Sequence, residues 1–237
     1  MSLFTAVEMA PRDPILGLNE QFAADTNPNK VNLGVGVYFD DNGKLPLLEC
    51  VQSAEKAMMD KPSARGYLPI DGIAAYDAAV KSLVFGADSE PVTSGRVATV
   101  QGIGGTGGLK IGADFLKKIS PNAKVMISDP SWENHRALFT NAGFQVDSYA
   151  YYDAEKRGVN FDGMLASLNA AAAGTIVVLH ACCHNPTGYD ITAAQWDQVI
   201  AVVKSKSLTP FLDMAYQGFG HGIQEDGAVI GKFVAAG

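Results

Sequence analysis

Long apolar runs are missing from this 237-residue chain, and no stretch approaches the roughly 18 consecutive apolar residues that a membrane-spanning helix requires. Its N-terminal MSLFTAVEMAPRDP places charges and prolines where a signal peptide would need an uninterrupted apolar core, so a cytoplasmic protein is expected. Cysteine is scarce. The three present, Cys50, Cys182 and Cys183, are an odd number, and sequence neighbours bridge only with strain, which suits a reducing compartment. Clusters of lysine and arginine are also absent. With 18 basic against 25 acidic residues and a net charge of -7, the chain lacks the phosphate-neutralising patch of a nucleic-acid binder or an anionic-membrane binder. An anionic small substrate stays compatible, because a local positive site can sit on an acidic surface. Internal repeats and low-complexity segments are lacking too.

What is there is an ordinary globular composition, 47% hydrophobic and 18% charged, at a length that forms one large domain or two modest ones. The central part alternates β-rich runs with helical patterns. VATVQ (97–101) reads as a strand followed by a glycine-rich turn and a helix through GLKIGADFLKK. KVMISD (124–129), FQVDSYA (144–150), TIVVLHA (175–181) and LTPFLDMA (208–215) read as further strands. The intervening helices are expected at about 132–141, over FDGMLASLNAA, and after Thr192 and Gln195, which have capping-box spacing. Two earlier helices are expected at about 47–59 and 71–85, while NLGVGVYFDDNGKLP, with its Asp-Asn-Gly turn, reads as a peripheral extended segment. Repeated β-α-β units predict an α/β fold, a mostly parallel sheet covered by helices on both faces. Ligands of such sheets bind at the carboxyl ends of the strands, which directs attention to GIGGTGG, DPSWENH, HACCHNPTG and DMAYQGF.

Gly102, Gly104 and Gly107 match G-x-G-x-x-G between a strand and a helix, where bare backbone N–H groups and the helix dipole favour an anion. Asp129 falls at the end of the next strand, about where a dinucleotide fold places its ribose acid. The alternative use of the glycines is tight packing alone. Against a dinucleotide, Asp129 runs straight into Pro130, Ser131 and Trp132, and Thr106 adds a hydroxyl suited to a phosphate monoester. No GK[ST] follows, which weighs against a P-loop. Asp213 ends a strand expected to be central, where a carboxylate needs a cation or protonated nitrogen; a magnesium ligand and a solvated strand end are the competing uses. In HACCHNPTG, the spacing of His180, Cys182, Cys183 and His184 does not suit a tetrahedral metal site, because adjacent residues at a strand end point to opposite sides. No metal is expected there, the cysteines read as small buried packing residues, and Asn185–Pro186 is a candidate cis bond. A phosphate cradle, the aromatic plate of Trp132, the amide of Asn185, and Asp213 with the phenol of Tyr216 together fit pyridoxal phosphate better than a nucleotide.

The segments DPILGL, NLGVGVY, YLPIDG, GGTGGLK, DPSWENH, YYDAE, CCHNPTG and FLDMAYQGF, in this order and spacing, resemble the class I aminotransferases of the aspartate and aromatic-amino-acid type along essentially the whole chain. LPIDG, VFGAD, KIGADFLKK and SDPSWENH lean toward the bacterial aromatic branch. The resemblance implies the type I fold of pyridoxal-phosphate enzymes, with an N-terminal arm over 1–12, part of a small domain over 13–46, and an incomplete large cofactor-binding domain over 47–237. It implies that Gly104, Gly105 and Thr106 hold the cofactor phosphate and that Trp132 stacks on the ring. Asn185 and Tyr216 would bond the ring oxygen, and Asp213 the ring nitrogen. His135 and His180 would act as supporting groups, His180 behind Asp213. Gly36, Trp132 and Asn185 would meet the substrate, with Ile15 and Leu16 as an apolar gate over it. Tyr67 would reach the phosphate of a neighbouring subunit, implying a homodimer with shared sites. The implied activity is exchange of an amino group between tyrosine, phenylalanine or aspartate and a 2-oxo acid such as 2-oxoglutarate. One feature departs from the pattern: the family's Schiff-base lysine, in a serine-rich motif beyond LDMAYQGF, has no counterpart here, and Lys110 has the wrong context. Residues 1–237 are therefore expected to carry no catalytic residue of their own. Another reaction of the same cofactor and a non-catalytic fragment are the alternatives.

Overall fold

A computed structural model describes residues 2–9, 16–32, 34 and 36–237. The chain divides into two compact units, Met1–Gly66 and Tyr67–Gly237. The first contains a 3-10 turn at Leu3–Ala6, helix α1 (Leu16–Ala24) and helix α2 (Glu49–Asp60), none of whose residues is buried. The Asp-Asn-Gly turn forms as expected. Asp40 Oδ1 accepts from the N–H groups of Asn42 and Lys44, and the Asp40 N–H donates to the Lys44 carbonyl, closing the loop on itself.

The second unit begins with α3 (Ala74–Phe85), the single turn α4 (Glu90–Thr93) and α5 (Gly104–Ile119). Then follow β1 (Lys124–Asp129), α6 (Glu133–Asn141), β2 (Gln145–Ala150), the two-residue strands β3 (Tyr152–Asp153) and β4 (Gly158–Val159), and α7 (Phe161–Ala170). The unit closes with β5 (Ile176–His180), α8 (Ala193–Ser205), β6 (Thr209–Asp213) and α9 (Ile223–Ala236). Four strands form one sheet in the order β2-β1-β5-β6, every pair parallel.

The central strand β5 is apolar on both sides because helices cover both faces. Ile176 and Val178 of β5 face Ala113 of α5 and Phe139 of α6, together with Val125 and Ile127 of β1. The alternate residues Val177 and Leu179 face the other way, onto Met164 and Leu168 of α7, Trp196, Val199 and Val203 of α8, and Val229 and Ile230 of α9. This alternation is the side-chain period of a strand read out as two cores. At one point backbone meets ring: a Cβ on Gly112 of α5 would lie 2.9 Å from Cε2 of Phe211 in β6, whose ring stands edge-on to Phe139. The capping box of α8 forms as its spacing predicts, Gln195 N–H donating to Thr192 Oγ1 and Thr192 N–H to Gln195 Oε1.

Residues 97–101 are not a strand. They find no strand partner among the described residues, Val100 is 54% exposed, and the segment is fastened by Gln101, whose N–H donates to the Asp71 carbonyl and whose Oε1 accepts from Ile73 N–H. An apolar run becomes a strand only where a neighbour supplies its ladder.

Candidate active site

The four segments singled out by sequence converge at the carboxyl end of the sheet. Helix α5 starts at Gly104 with no side-chain cap, so the N–H groups of its first turn, at Gly104, Gly105 and Thr106, have no partner within the helix. Gly104 needs its missing Cβ because its φ is +62°, and Gly102 needs it because a Cβ there would lie 2.7 Å from the backbone nitrogen of Gly108. The glycines thus serve tight packing and leave a bare, positively polarised turn, which satisfies both readings of the motif.

Asp213 ends β6, and the sheet register pairs it with His180 at the end of β5. Its Oδ2 accepts from Nε2 of His135, 2.7 Å away, on a ring that is fully buried. A carboxylate only accepts, so Nε2 carries the proton in this pair, and the other ring nitrogen, Nδ1, lies 2.8 Å from Ser131 Oγ. Ser131 and His135 lie one helical turn apart at the start of α6, and Trp132, the N-cap residue between them, stands edge-on to His135 with centroids 5.4 Å apart. The group behind Asp213 is therefore His135. His180, expected in that place, makes no hydrogen bond: both its ring nitrogens are buried and unpartnered. The reason is direction, since its ring packs toward those of His135 and His184, with centroids 5.0 and 4.2 Å away.

His184, which sequence reasoning gave no role, is the most tightly held of the group. Its Nε2 lies 2.9 Å from Ser128 Oγ, its Nδ1 2.8 Å from Thr187 Oγ1, and its ring stacks on Tyr151 at 3.9 Å. Burial lowers its pKa to about 3, with help from the neighbouring His180, whose own pKa burial and His135 lower to about 4. Both imidazoles are neutral at pH 7. Burial pushes the Tyr151 phenol far above its ordinary range.

Beyond β5 the chain reverses through Cys183 at φ +49° and the cis bond Asn185–Pro186. Both oxygens of Asp190 reach back across this loop, accepting from Cys183 N–H at 2.7 Å and His184 N–H at 2.8 Å, which fixes the base on which Asn185 stands. The cysteines depart from expectation. Cys182 is buried and Cys183 partly so, but their sulfurs do not point apart: the left-handed residue breaks the strand alternation, and both lie within 4.8 Å of each other and of an Asp226 carboxylate oxygen. Burial raises the Cys182 thiol pKa to about 12. Asp226 is itself anchored by the N–H groups of Gly218, Gly220 and His221. Burial works against its ionised form, but these donors outweigh that and lower its pKa.

A cavity of about 140 Å³ lies where these parts meet, lined by Gly105, Leu109, Trp132, His180, Cys182, Asn185, Asp213, Ala215 and Tyr216. Asp213 Oδ1, the Asn185 amide and the Tyr216 hydroxyl take no hydrogen bond among the described residues. The cavity thus offers a half-buried carboxylate, an amide, a phenol, an aromatic plate and an anion-binding turn. That is the chemistry of a flat heterocycle with a protonated nitrogen, an exocyclic oxygen and a phosphate. Asp129, the candidate ribose acid, is exposed at the end of β1 and does not line it. No lysine lines it either; Lys110 pairs with Asp114 along α5.

Tyr67 is fully exposed at the start of the second unit. Gly36 belongs to the first unit, with open space where a Cβ would stand. Ile15 lies outside the described residues, and Leu16 opens α1. Ser131 and Thr187, missed from sequence, are the hydroxyls that orient His135 and His184; their only signal was proximity to a histidine within one turn.

Comparison with known proteins places this geometry. The family described as aminotransferase class I and II matches residues 28–234. An aspartate aminotransferase of Pseudomonas aeruginosa is 62% identical over 237 residues, spanning 100% of this chain and 60% of its own length. The aromatic-amino-acid aminotransferase of Escherichia coli is 48% identical over 236 residues, 99% of this chain and 59% of its own. A crystal structure of an aromatic-amino-acid aminotransferase from Burkholderia pseudomallei, covalently bound to pyridoxal phosphate, superposes with a TM-score of 0.94 at 66% identity, covering 100% of this chain and 59% of that one. The chain thus spans about 60% of the length of the curated relatives it matches. From the parallel sheet to the loops at its carboxyl end, the chain belongs to the class I and II aminotransferases.

Proposed function

We propose that this chain forms the cofactor-binding part of a pyridoxal-phosphate-dependent aminotransferase that moves an amino group between aspartate or an aromatic amino acid and a 2-oxo acid such as 2-oxoglutarate. One observation carries the reading: an Asp213 oxygen left open to a cavity while the other is held by the buried His135. A carboxylate fixed in this way favours a protonated ring nitrogen opposite it. When bound, pyridoxal phosphate supplies an electron-accepting ring that stabilises negative charge at the substrate α-carbon. The first turn of α5 and Thr106 would hold its phosphate, Trp132 would lie against its ring, and Asn185 and Tyr216 would donate to its oxygen. Asn185 and Trp132 would meet the substrate. His135 orients Asp213, and Ser131 holds the His135 ring in the position that allows it.

The assembly is part of the same proposal. Tyr67, Ile70 and Ile103 are 108%, 106% and 94% exposed, and large side chains so bare beside a glycine turn favour a covering second subunit, as a homodimer with shared sites would provide. The test is a titration of the purified chain with pyridoxal phosphate, read by quenching of Trp132, followed by donor amino acids and 2-oxoglutarate with glutamate as the measured product. Saturable quenching that Trp132→Phe removes, with glutamate as the amino-acid product of any turnover, is the expected result. No binding, or a decarboxylated or eliminated product, would overturn the assignment.

A further inference from the structure

The Cys182–Cys183 pair remains outside the chemistry described so far. We propose that Cys182, Cys183 and Asp226 form a site for one soft divalent cation of the zinc type, independent of the amino-transfer reading. Three requirements of such a site are met. The first is convergence: both sulfurs and a carboxylate oxygen lie within 4.8 Å of one another. Tetrahedral zinc with sulfur bonds of about 2.3 Å needs its sulfurs about 3.8 Å apart, a closure of about 1 Å or less. The left-handed φ of Cys183 makes this possible by turning its sulfur to the side on which Cys182 lies.

The second requirement is that the ligands be held by an outer ring of hydrogen bonds. Asp226 is pinned by the backbone N–H groups of Gly218, Gly220 and His221, and a carboxylate's two oxygens have lone pairs beyond those these bonds use. The loop bearing the sulfurs is pinned by both oxygens of Asp190. The third is an entry path. Cys182 and Asp226 line a second cavity of about 360 Å³, with Asp190 and His221 on its wall. The cation bordering that cavity, Lys232, is drawn off to Asp197 at 2.6 Å and to the Ala193 carbonyl. Two sulfurs and one carboxylate select zinc-like ions over magnesium or calcium, which prefer oxygen throughout. On binding, each thiol releases its proton to solvent and its sulfur forms a bond to the metal; no electron is transferred. Because Cys182 also lines the cofactor cavity, occupancy would press on its wall.

Cobalt(II) is the probe, because thiolate ligation gives it a charge-transfer absorption that nitrogen and oxygen ligands do not. The reduced 237-residue chain, held in a phosphine reductant, is titrated with cobalt(II) and back-titrated with zinc(II). The expected result is a charge-transfer band saturating at one metal per chain and bleached by zinc. Cys182→Ser and Cys183→Ser each diminish the band and weaken binding at least ~10-fold, while Cys50→Ser, in the other unit, changes neither. Asp226→Asn keeps the band but weakens binding ~10-fold. Asp226 also fastens residues 218–221, so circular dichroism accompanies that variant, and the two serine variants decide the question if it unfolds. No band from a folded chain in excess cobalt would overturn the proposal. So would a band lost with Cys50→Ser, or binding unchanged in either cysteine variant. Binding without a charge-transfer band would also overturn it, pointing to His135, His180 and Asp213, whose ligand atoms also cluster within 4.8 Å.

Discussion

Acidification from pH 7 to pH 5 should cost this fold about 4 kcal/mol through two histidines. His184 and His180 have folded pKa values lowered to about 3 and about 4, against an ordinary value of 6.5. The sign follows from linkage: a base whose folded pKa is lowered adds nothing to the pH dependence above pH 6.5, and stability falls as pH drops toward the folded value, because only the unfolded chain takes up the proton. At pH 5 the unfolded imidazole is 1.5 units below its pKa, which at 1.36 kcal/mol per unit is about 2 kcal/mol for each ring. Two such rings consume a large part of a typical stability of about 5–15 kcal/mol. Urea unfolding at pH 7 and pH 5, followed by tryptophan fluorescence, should show the midpoint falling by roughly 1 M or more. In His184→Phe the same pH step should cost about half as much, whatever that variant's stability at pH 7. A midpoint unchanged over this range, or a His184 ring whose NMR signal titrates near pH 6.5, would refute the reasoning.

Three other outcomes follow from single contacts. Asp213→Ala removes a charge-assisted hydrogen bond of about 1.5–3 kcal/mol and should weaken pyridoxal phosphate binding roughly 10- to 100-fold; unchanged affinity by equilibrium dialysis would remove Asp213 from its assigned place. Gly112→Ala puts a methyl 2.9 Å from the Phe211 ring, which Phe139 supports from the other side, and should lower stability by about 1–2 kcal/mol in thermal melts despite alanine's better helix propensity. Thr192→Ala removes the capping box of α8 and should cost about 1 kcal/mol in the same measurement.

The sheet was legible because apolar strands covered on both faces announce themselves without any partner being known. β1, β2, β5 and β6 all fall inside the runs read from sequence. VATVQ has the same character and is not a strand, since pairing depends on a neighbour that local sequence does not encode. Helix α9 was hidden by Gly227 and Gly231 in its interior, which weaken a helical pattern that packing of Val229 and Ile230 restores. The aromatic plate, the amide and Asp213 were legible as residue types at strand ends. Which histidine serves Asp213 was not, because it depends on how α6 approaches β6 across 78 residues of chain. Nor was the direction of the two sulfurs, which hangs on one backbone torsion at Cys183.

The register His180↔Asp213 ties the site to the ladder between β5 and β6. A slip of one residue between these strands would carry Asp213 about 3.3 Å along its strand and turn it to the opposite face. The same slip would send Phe211 to the side now taken by Leu212, and Leu212 to the side of Phe211. Positional error in the site and mispacking in the core are therefore one event, so stability and catalytic geometry are inherited together. Variants that loosen β5 against β6 should lose both at once, and a graft of the loops without their strands would carry the residues but not their coordinates.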